Sequence, residues 1–379
     1  MIYLDNSATT FPKPASVIQA MNNASRNYSF NPGRGGYRQS LKASEIVYNT
    51  RSKVKSFFNA LSEESVIFTY NCTHALNMAV KGVLNRGDHA VISSLEHNAV
   101  LRPIQRLADS GFITYTVAEV VPGDDEQTLD NFRKAINSRT RLFVCTHASN
   151  VFGIRLPVER LCALAHSYDI FFCLDAAQSA GLLDIDVSRE KYDYVCCAGH
   201  KYLYGPMGTG ILIVNNDTAL KTLIEGGTGS ESADSSMPLY YPDRLEAGTA
   251  NVAGIAGLGA AIDYLSSKGI DNIVKRETRL VTGLKNRLHT IEGLKVYENY
   301  DGVPVFSLSI DGFDSERVAR YLSEQSDIAV RSGLHCAPLA HRQMGTLDSG
   351  TVRVAPGIFT TENDTQILFK TLRKMIHSA

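Results

Sequence analysis

Polar residues with chemistry to offer stand directly after short apolar runs in this chain. SVIFT (65–69) leads into Asn71-Cys72-Thr73, and HAVIS (89–93) into Glu96-His97-Asn98. RLFVCT (141–146) is followed by His147-Ala148-Ser149-Asn150, and DIFFCLD (169–175) ends on Asp175, with Gln178 shortly after. YDYVCCA (192–198) runs into Gly199-His200-Lys201 and then the glycine-rich Gly205-Pro206-Met207-Gly208-Thr209-Gly210. An aspartate after a strand can cap a helix, and a lysine in a glycine-rich loop can simply be solvated. Together the residues form a narrower set. Thr73 opens a helix, where unpaired amides and the helix dipole accept an anion. Asp175 can hold a protonated ring nitrogen, Lys201 can condense with an aldehyde, and a histidine ring can stack. Pyridoxal 5'-phosphate requires that set of a protein.

A second chemistry lies with sulfur. The seven cysteines, Cys72, Cys145, Cys162, Cys173, Cys196, Cys197 and Cys336, are scattered without a repeating spacing. Neither a disulfide framework nor a CxxC metal pair follows from that pattern, and no metal site is expected. Most sit in apolar runs and read as small buried hydrophobes. Cys336 differs, lying in RSGLHCAPLAH (331–341), a segment that reads as loop. A free thiol has a pKa of about 8.5, so a nucleophilic Cys336 needs help; the candidates nearby are His335 and Arg331.

The elements that position these residues follow from periodicity. From about residue 65 to 225, Val/Ile/Phe-rich runs alternate with amphipathic stretches such as THALNMAVKGVL, AVLRPIQRLADS, TLDNFRKAINS and PVERLCALAHSY. That alternation predicts βαβ units, hence an α/β fold with a mostly parallel central sheet and flanking helices. Ligands of such sheets bind outside the carboxyl ends of the strands, where the residues above stand. Residues 226–249, rich in Gly and Ser, predict a long loop. Helical patterns at 252–267 and 271–291, then short strands alternating with helices, predict a smaller C-terminal α+β domain. The expected division is a large domain over 1–254 and a small one over 255–379, with residues 1–15 packing on the small domain.

Composition agrees with a soluble globular chain: 379 residues, 44% hydrophobic, 20% charged. With 38 Lys+Arg against 39 Asp+Glu, no basic excess exists to neutralise a phosphate backbone, so nucleic acid is not an expected partner. No apolar run reaches the roughly 18 residues of a membrane helix. The opening MIYLDNSATTFPKP lacks the regions of a signal peptide, which predicts a cytoplasmic protein.

The same residues carry a family resemblance. The chain resembles the class V branch of fold-type I pyridoxal phosphate enzymes. Within that branch it is similar to the cysteine desulfurases, nearest the group that includes selenocysteine lyases. The likeness runs from YLDNSATT to TVRVAPGIFTTENDTQ. Asp175…Gln178…His200-Lys201 marks the superfamily, and RSGLHCAP (331–338) marks the desulfurases. The resemblance implies that Lys201 forms the Schiff base, Asp175 partners the pyridinium nitrogen and His97 stacks on the ring. It implies that Gln178 and Asn150 lie near the ring hydroxyl, that Thr73 and His200 hold the phosphate, and that Cys72 is among the cofactor-binding residues. Thr249 would reach the phosphate of a second subunit, implying a homodimer. Arg353, with Asn150 and Arg331, would hold the substrate carboxylate, and Cys336 would take sulfur from L-cysteine as a persulfide, leaving L-alanine. A sulfur-acceptor protein is a possible further partner. The alternatives are a selenocysteine lyase acting on L-selenocysteine, or another class V aminotransferase or lyase that does not use Cys336. Three departures stand out: Ala198 where relatives place Ser or Thr, Leu334 where a second His is common, and Asn-Cys-Thr-His for Gly-Thr-Thr-Glu at 71–74. They bear on substrate preference more than on reaction class.

Overall fold

Continuous apolar runs become strands buried on both faces, as a sheet covered by helices requires. The computed structural model describes residues 1–33 and 35–377. A short strand β1 (Ile2–Tyr3) precedes two helices, α1 (Ala15–Asn27) and α2 (Arg38–Phe57). Strands and helices then alternate: β2 (Val66–Thr69), α3 (Cys72–Val83), β3 (His89–Ser93), α4 (Asn98–Asp109), β4 (Thr114–Ala118) and α5 (Asp125–Ala135). The alternation continues with β5 (Thr140–Thr146), α6 (Val158–His166), β6 (Phe171–Asp175), the single turn α7 (Val187–Glu190), β7 (Tyr194–Ala198) and β8 (Gly210–Val214). These strands form one seven-stranded sheet in the order β2-β8-β7-β6-β5-β3-β4. All neighbours from β7 through β4 run parallel; β8 alone is antiparallel to both its partners. In register, Thr146 faces Asp175 and Asp175 faces Cys196, so the carboxyl ends of β5, β6 and β7 meet at one edge.

Residues 226–249 carry no helix or strand, as their composition predicts. Beyond them lie α8 (Val252–Lys268) and α9 (Ile270–Leu288). Helix α8 is the first element of the expected small domain, yet it packs against α1 and α2. Its Leu258, Ala261, Ile262 and Leu265 join the core of the large sheet. Glycines permit the close approach: a Cβ on Gly257 would come 2.6 Å from Met21 Cγ, and one on Gly259 2.6 Å from Thr50 Oγ1.

The remaining chain forms β9 (Leu294–Tyr297), β10 (Phe306–Ile310), α10 (Ser315–Ser326), β11 (Ile328–Ala329), β12 (Arg331–Gly333), α11 (Pro338–Gln343), β13 (Thr351–Val354) and α12 (Glu362–His377). An antiparallel sheet in the order β12-β13-β10-β9 shares a second core with α9, α10 and α12. Strand β1 pairs in parallel with β11, Ile2 opposite Ile328, so the amino-terminal segment starts on this smaller layer. It then crosses to the large sheet, where Thr10 N donates to the His200 carbonyl at 3.1 Å. Among the described residues no helix is long and apolar enough to cross a membrane.

Candidate active site

The strand ends and the smaller layer close around one cavity. Cys72, Thr73, His97, Asn150, Asp175, Gln178, His200, Lys201, Arg331 and Arg353 all line it, together with Ala198 and His335. Ten of the residues singled out in the sequence therefore come together, although they are spread over most of the chain.

Asp175 ends β6, and its Oδ1 accepts from Ala177 N at 2.9 Å and lies 3.5 Å from Cys72 Sγ. Burial raises the Asp175 pKa, opposed by the Ala177 N–H and the charge of Lys201. Burial likewise lowers that of Lys201 against the pull of Asp175. A lysine so displaced toward its neutral form is a nucleophile, the state needed to condense with an aldehyde and to move a proton. The Cys72 thiol is pushed well up by burial and then by Asp175, so it stays protonated and donates to the carboxylate.

His97 caps α4, its Nδ1 accepting from Ala99 N at 3.0 Å, which leaves the ring proton on Nε2. Burial, then the charges of Lys201, Arg331 and Arg353, hold it down to about 3, and the ring is neutral. Behind it the Glu96 carboxyl accepts from Ser93 Oγ at 2.5 Å and Thr146 N at 2.8 Å, tying the ends of β3 and β5 together.

Two amides are oriented by their nitrogens. Asn150 Nδ2 donates to the His335 carbonyl at 2.7 Å and Gln178 Nε2 to the Ser7 carbonyl at 3.1 Å. Carbonyls only accept, so both side-chain oxygens are placed unambiguously. Asn150 Oδ1, Gln178 Oε1 and His200 Nδ1 are buried without a partner among the described residues. Buried polar atoms are ordinarily paired, so three orphans in one cavity call for a polar ligand. The amino end of α3, carrying Cys72 and Thr73, supplies unpaired amides for an anionic group of that ligand.

Arg353, in β13, is 1% exposed. Its Nη1 donates to the Asn150 carbonyl at 3.0 Å and its Nη2 pairs with the Asp5 carboxylate. Nε is left without a partner among the described residues. Asp5 and Ser7 were not singled out in the sequence. The signal available was a run of polar residues, Asp5-Asn6-Ser7, between the apolar YL and Ala8, which here is largely buried.

Thr249 stands elsewhere. It lines a second cavity with Arg51, Tyr70, His74 and Glu246, separate from that of Lys201.

Cys336 is exposed, whereas the other six cysteines are buried. It follows β12 in a turn in which His335 (φ 51°) and Cys336 (φ 58°) are both left-handed. His335, one of the two candidates for assisting the thiol, is held by other partners. Its Nε2 lies 3.0 Å from the Arg331 carbonyl and its Nδ1 3.4 Å from His341 Nε2, so both nitrogens are engaged. Burial, then the Arg353 charge, hold it down to about 3, leaving no imidazolium to stabilise a thiolate. A second histidine does stand beside it: the His341 ring lies edge to edge with that of His335, nearly parallel, with centroids 5.6 Å apart.

Comparison with known proteins agrees with this architecture. The family described as aminotransferase class-V matches residues 2–368. A probable cysteine desulfurase of Methanothermobacter thermautotrophicus is 34% identical over 383 residues, spanning 99% of this chain and 94% of the relative. One from Pyrococcus abyssi is 34% identical, covering 100% and 95%. Among solved structures, the apo cysteine desulfurase of Thermococcus onnurineus superposes with a TM-score of 0.92 at 31% identity, over 100% of this chain and 95% of that one. A cysteine desulfurase from Escherichia coli gives 0.88 at 25% identity, over 99% and 94%.

Proposed function

The chain belongs to the class-V aminotransferase family, and from that premise we propose that it is a pyridoxal phosphate-dependent cysteine desulfurase. It converts L-cysteine to L-alanine and takes the sulfur on Cys336. One observation carries the reading. The exposed cysteine, alone among seven, lies on the same segment that contributes Arg331 and His335 to the cavity of Lys201 and Asp175.

The donor set fits the cofactor. Lys201 would link to its aldehyde, Asp175 would face its ring nitrogen and His97 its ring. Asn150 and Gln178 would meet the hydroxyl, and Thr73 and His200 the phosphate, with Cys72 beside them at the amino end of α3; the orphaned Asn150 Oδ1, Gln178 Oε1 and His200 Nδ1 support this placement. Bound there, the cofactor supplies an electron sink for bonds at the substrate Cα. Lys201 Nζ, biased toward the neutral amine, takes and returns the Cα proton. Arg353, fixed by Asp5 and Asn150, presents its remaining N–H groups to the substrate carboxylate. Cys336 Sγ then attacks the substrate sulfur. An S–S bond forms, the Cβ–S bond breaks, and its electron pair stays with the carbon skeleton, which leaves as alanine after protonation.

Thr249 would complete the phosphate site of a second copy of this chain, a reading supported by its place on a cavity other than that of Lys201. Seven unpaired cysteines support a reducing, cytoplasmic setting. The test is release of alanine and sulfide from L-cysteine, with L-selenocysteine and 2-oxo acids in parallel. Cys336→Ala should keep the cofactor's absorption band yet form no protein persulfide. Alanine release from cysteine by that variant at the wild-type rate would overturn the reading; activity on selenocysteine alone would point to the lyase.

A further inference from the structure

The turn that presents Cys336 is anchored from beneath by a directed chain of hydrogen bonds. The Arg331 carbonyl can only accept, so His335 carries its proton on Nε2 and donates at 3.0 Å. His335 Nδ1 is then an acceptor, and His341 must donate to it from Nε2 at 3.4 Å. That leaves His341 Nδ1 to accept from the Thr346 hydroxyl at 2.7 Å. The ring protons are thereby placed, and the Thr346 hydroxyl, which also lies 3.4 Å from the His341 carbonyl, has the ring nitrogen as its nearer acceptor. Both imidazoles are buried, His341 completely, and His341 packs on Phe152 at 5.5 Å between ring centroids. Burial keeps both rings neutral, which the chain requires of His335, since a further proton there would set two N–H groups against each other.

The need for such an anchor is visible in the backbone. Two successive residues with side chains, His335 and Cys336, are left-handed, a conformation that persists only where surroundings impose it. The large domain holds their carbonyls, through Asn150 Nδ2 to His335 O and Asn98 N to Cys336 O, both at 2.7 Å. The histidine chain holds the turn from the smaller layer. We propose that His341 and Thr346 are positioning residues that fix the Cys336 turn for attack on the substrate sulfur, an inference that rests on the desulfurase reading.

The test compares holoenzymes of Thr346→Val, Thr346→Ser and His341→Leu. Thr346→Val removes the donor at nearly constant volume, and Thr346→Ser retains it. Single-turnover persulfide formation and kcat should fall about tenfold or more in Thr346→Val, because misplacing a reacting atom by about 1 Å can cost about a hundredfold. KM for cysteine and the cofactor absorption band should stay unchanged, and Thr346→Ser should restore the rate. Amide hydrogen exchange across 331–338 should quicken in Thr346→Val and not in Thr346→Ser. A Thr346→Val enzyme with the wild-type persulfide rate, or equal impairment by Val and Ser, overturns the proposal. Should His341→Leu not fold, the pair at 346 still decides. If the wild-type chain releases no alanine from cysteine, the desulfurase reading fails; the exchange contrast then still shows whether the anchor exists.

Discussion

At the scale of single residues, burial biases the charged groups of the site toward their neutral forms. Lys201 and Asp175 are both displaced that way by burial, which suits the exchange between covalent link and free amine proposed for Lys201. Lys201→Ala should therefore lose the borohydride-reducible absorption of the bound cofactor. Asp175→Ala should keep some cofactor and lose most turnover. Spectra before and after reduction, with steady-state rates, check both. Burial also lowers the pKa of Arg353, and the Asp5 carboxylate beside it works against that shift. Lys cannot reproduce a planar fork bound on two sides, so Arg353→Lys should raise KM for cysteine about tenfold or more. Asp5→Asn, which keeps the contact and removes the charge, should raise it less. An unchanged KM in both would count against Arg353 as the carboxylate site.

At the scale of elements, α8 is the piece whose allegiance decides the domain layout. Its glycines let α1 and α2 approach closely, and its apolar side chains face the large core. We propose that the two domains divide near Gly269, the left-handed residue between α8 and α9, rather than at 254/255. Gly259→Val would drive methyl groups into Thr50, and overpacking of this kind costs about 1–3 kcal/mol. Chemical denaturation should show that loss, with the cofactor band of the folded fraction unaltered.

At the scale of the whole molecule, two predictions concern stability and assembly. Glu277, on α9, is buried near Tyr204 and Tyr202, which follow Lys201 in the chain. Burial raises its carboxyl from 4.5 to about 8, so the folded chain holds this proton more tightly than the unfolded one. Its stabilising contribution is full below the ordinary value and is lost as pH rises through about 8. Melting temperature should fall over that window in the wild type, and less steeply in Glu277→Gln. Glu96, shifted to about 8 in the same sense, keeps the slope from vanishing. The second prediction concerns Thr249. In a dimer that shares phosphate sites, Thr249→Ala should weaken cofactor retention about tenfold, and Ala198→Ser should restore part of it. Equilibrium dialysis and sedimentation measure both; full retention by a monomer would exclude a shared site.

By itself the sequence determined the sheet, most of its strands and ten of the cavity's residues. The reason is local: apolar runs bounded by polar residues mark strand ends, and a parallel sheet gathers its carboxyl ends at one edge. Where α8 belongs was not legible, because a helix buried on several sides shows no stripe to say which core it faces. The Asp5–Arg353 pair joins residues 348 positions apart, and no periodicity encodes such a contact. The partner of His335 sits on α11, a helix of six residues, too short to show a period of its own. That Cys336 stands apart from six buried thiols was legible from its loop, but which imidazole is neutral and what holds the Cys336 turn were decided only when two sheets and a crossing amino-terminal segment closed on one cavity. Burial and long-range hydrogen bonds act there, and both are properties of the packed molecule rather than of any stretch of chain.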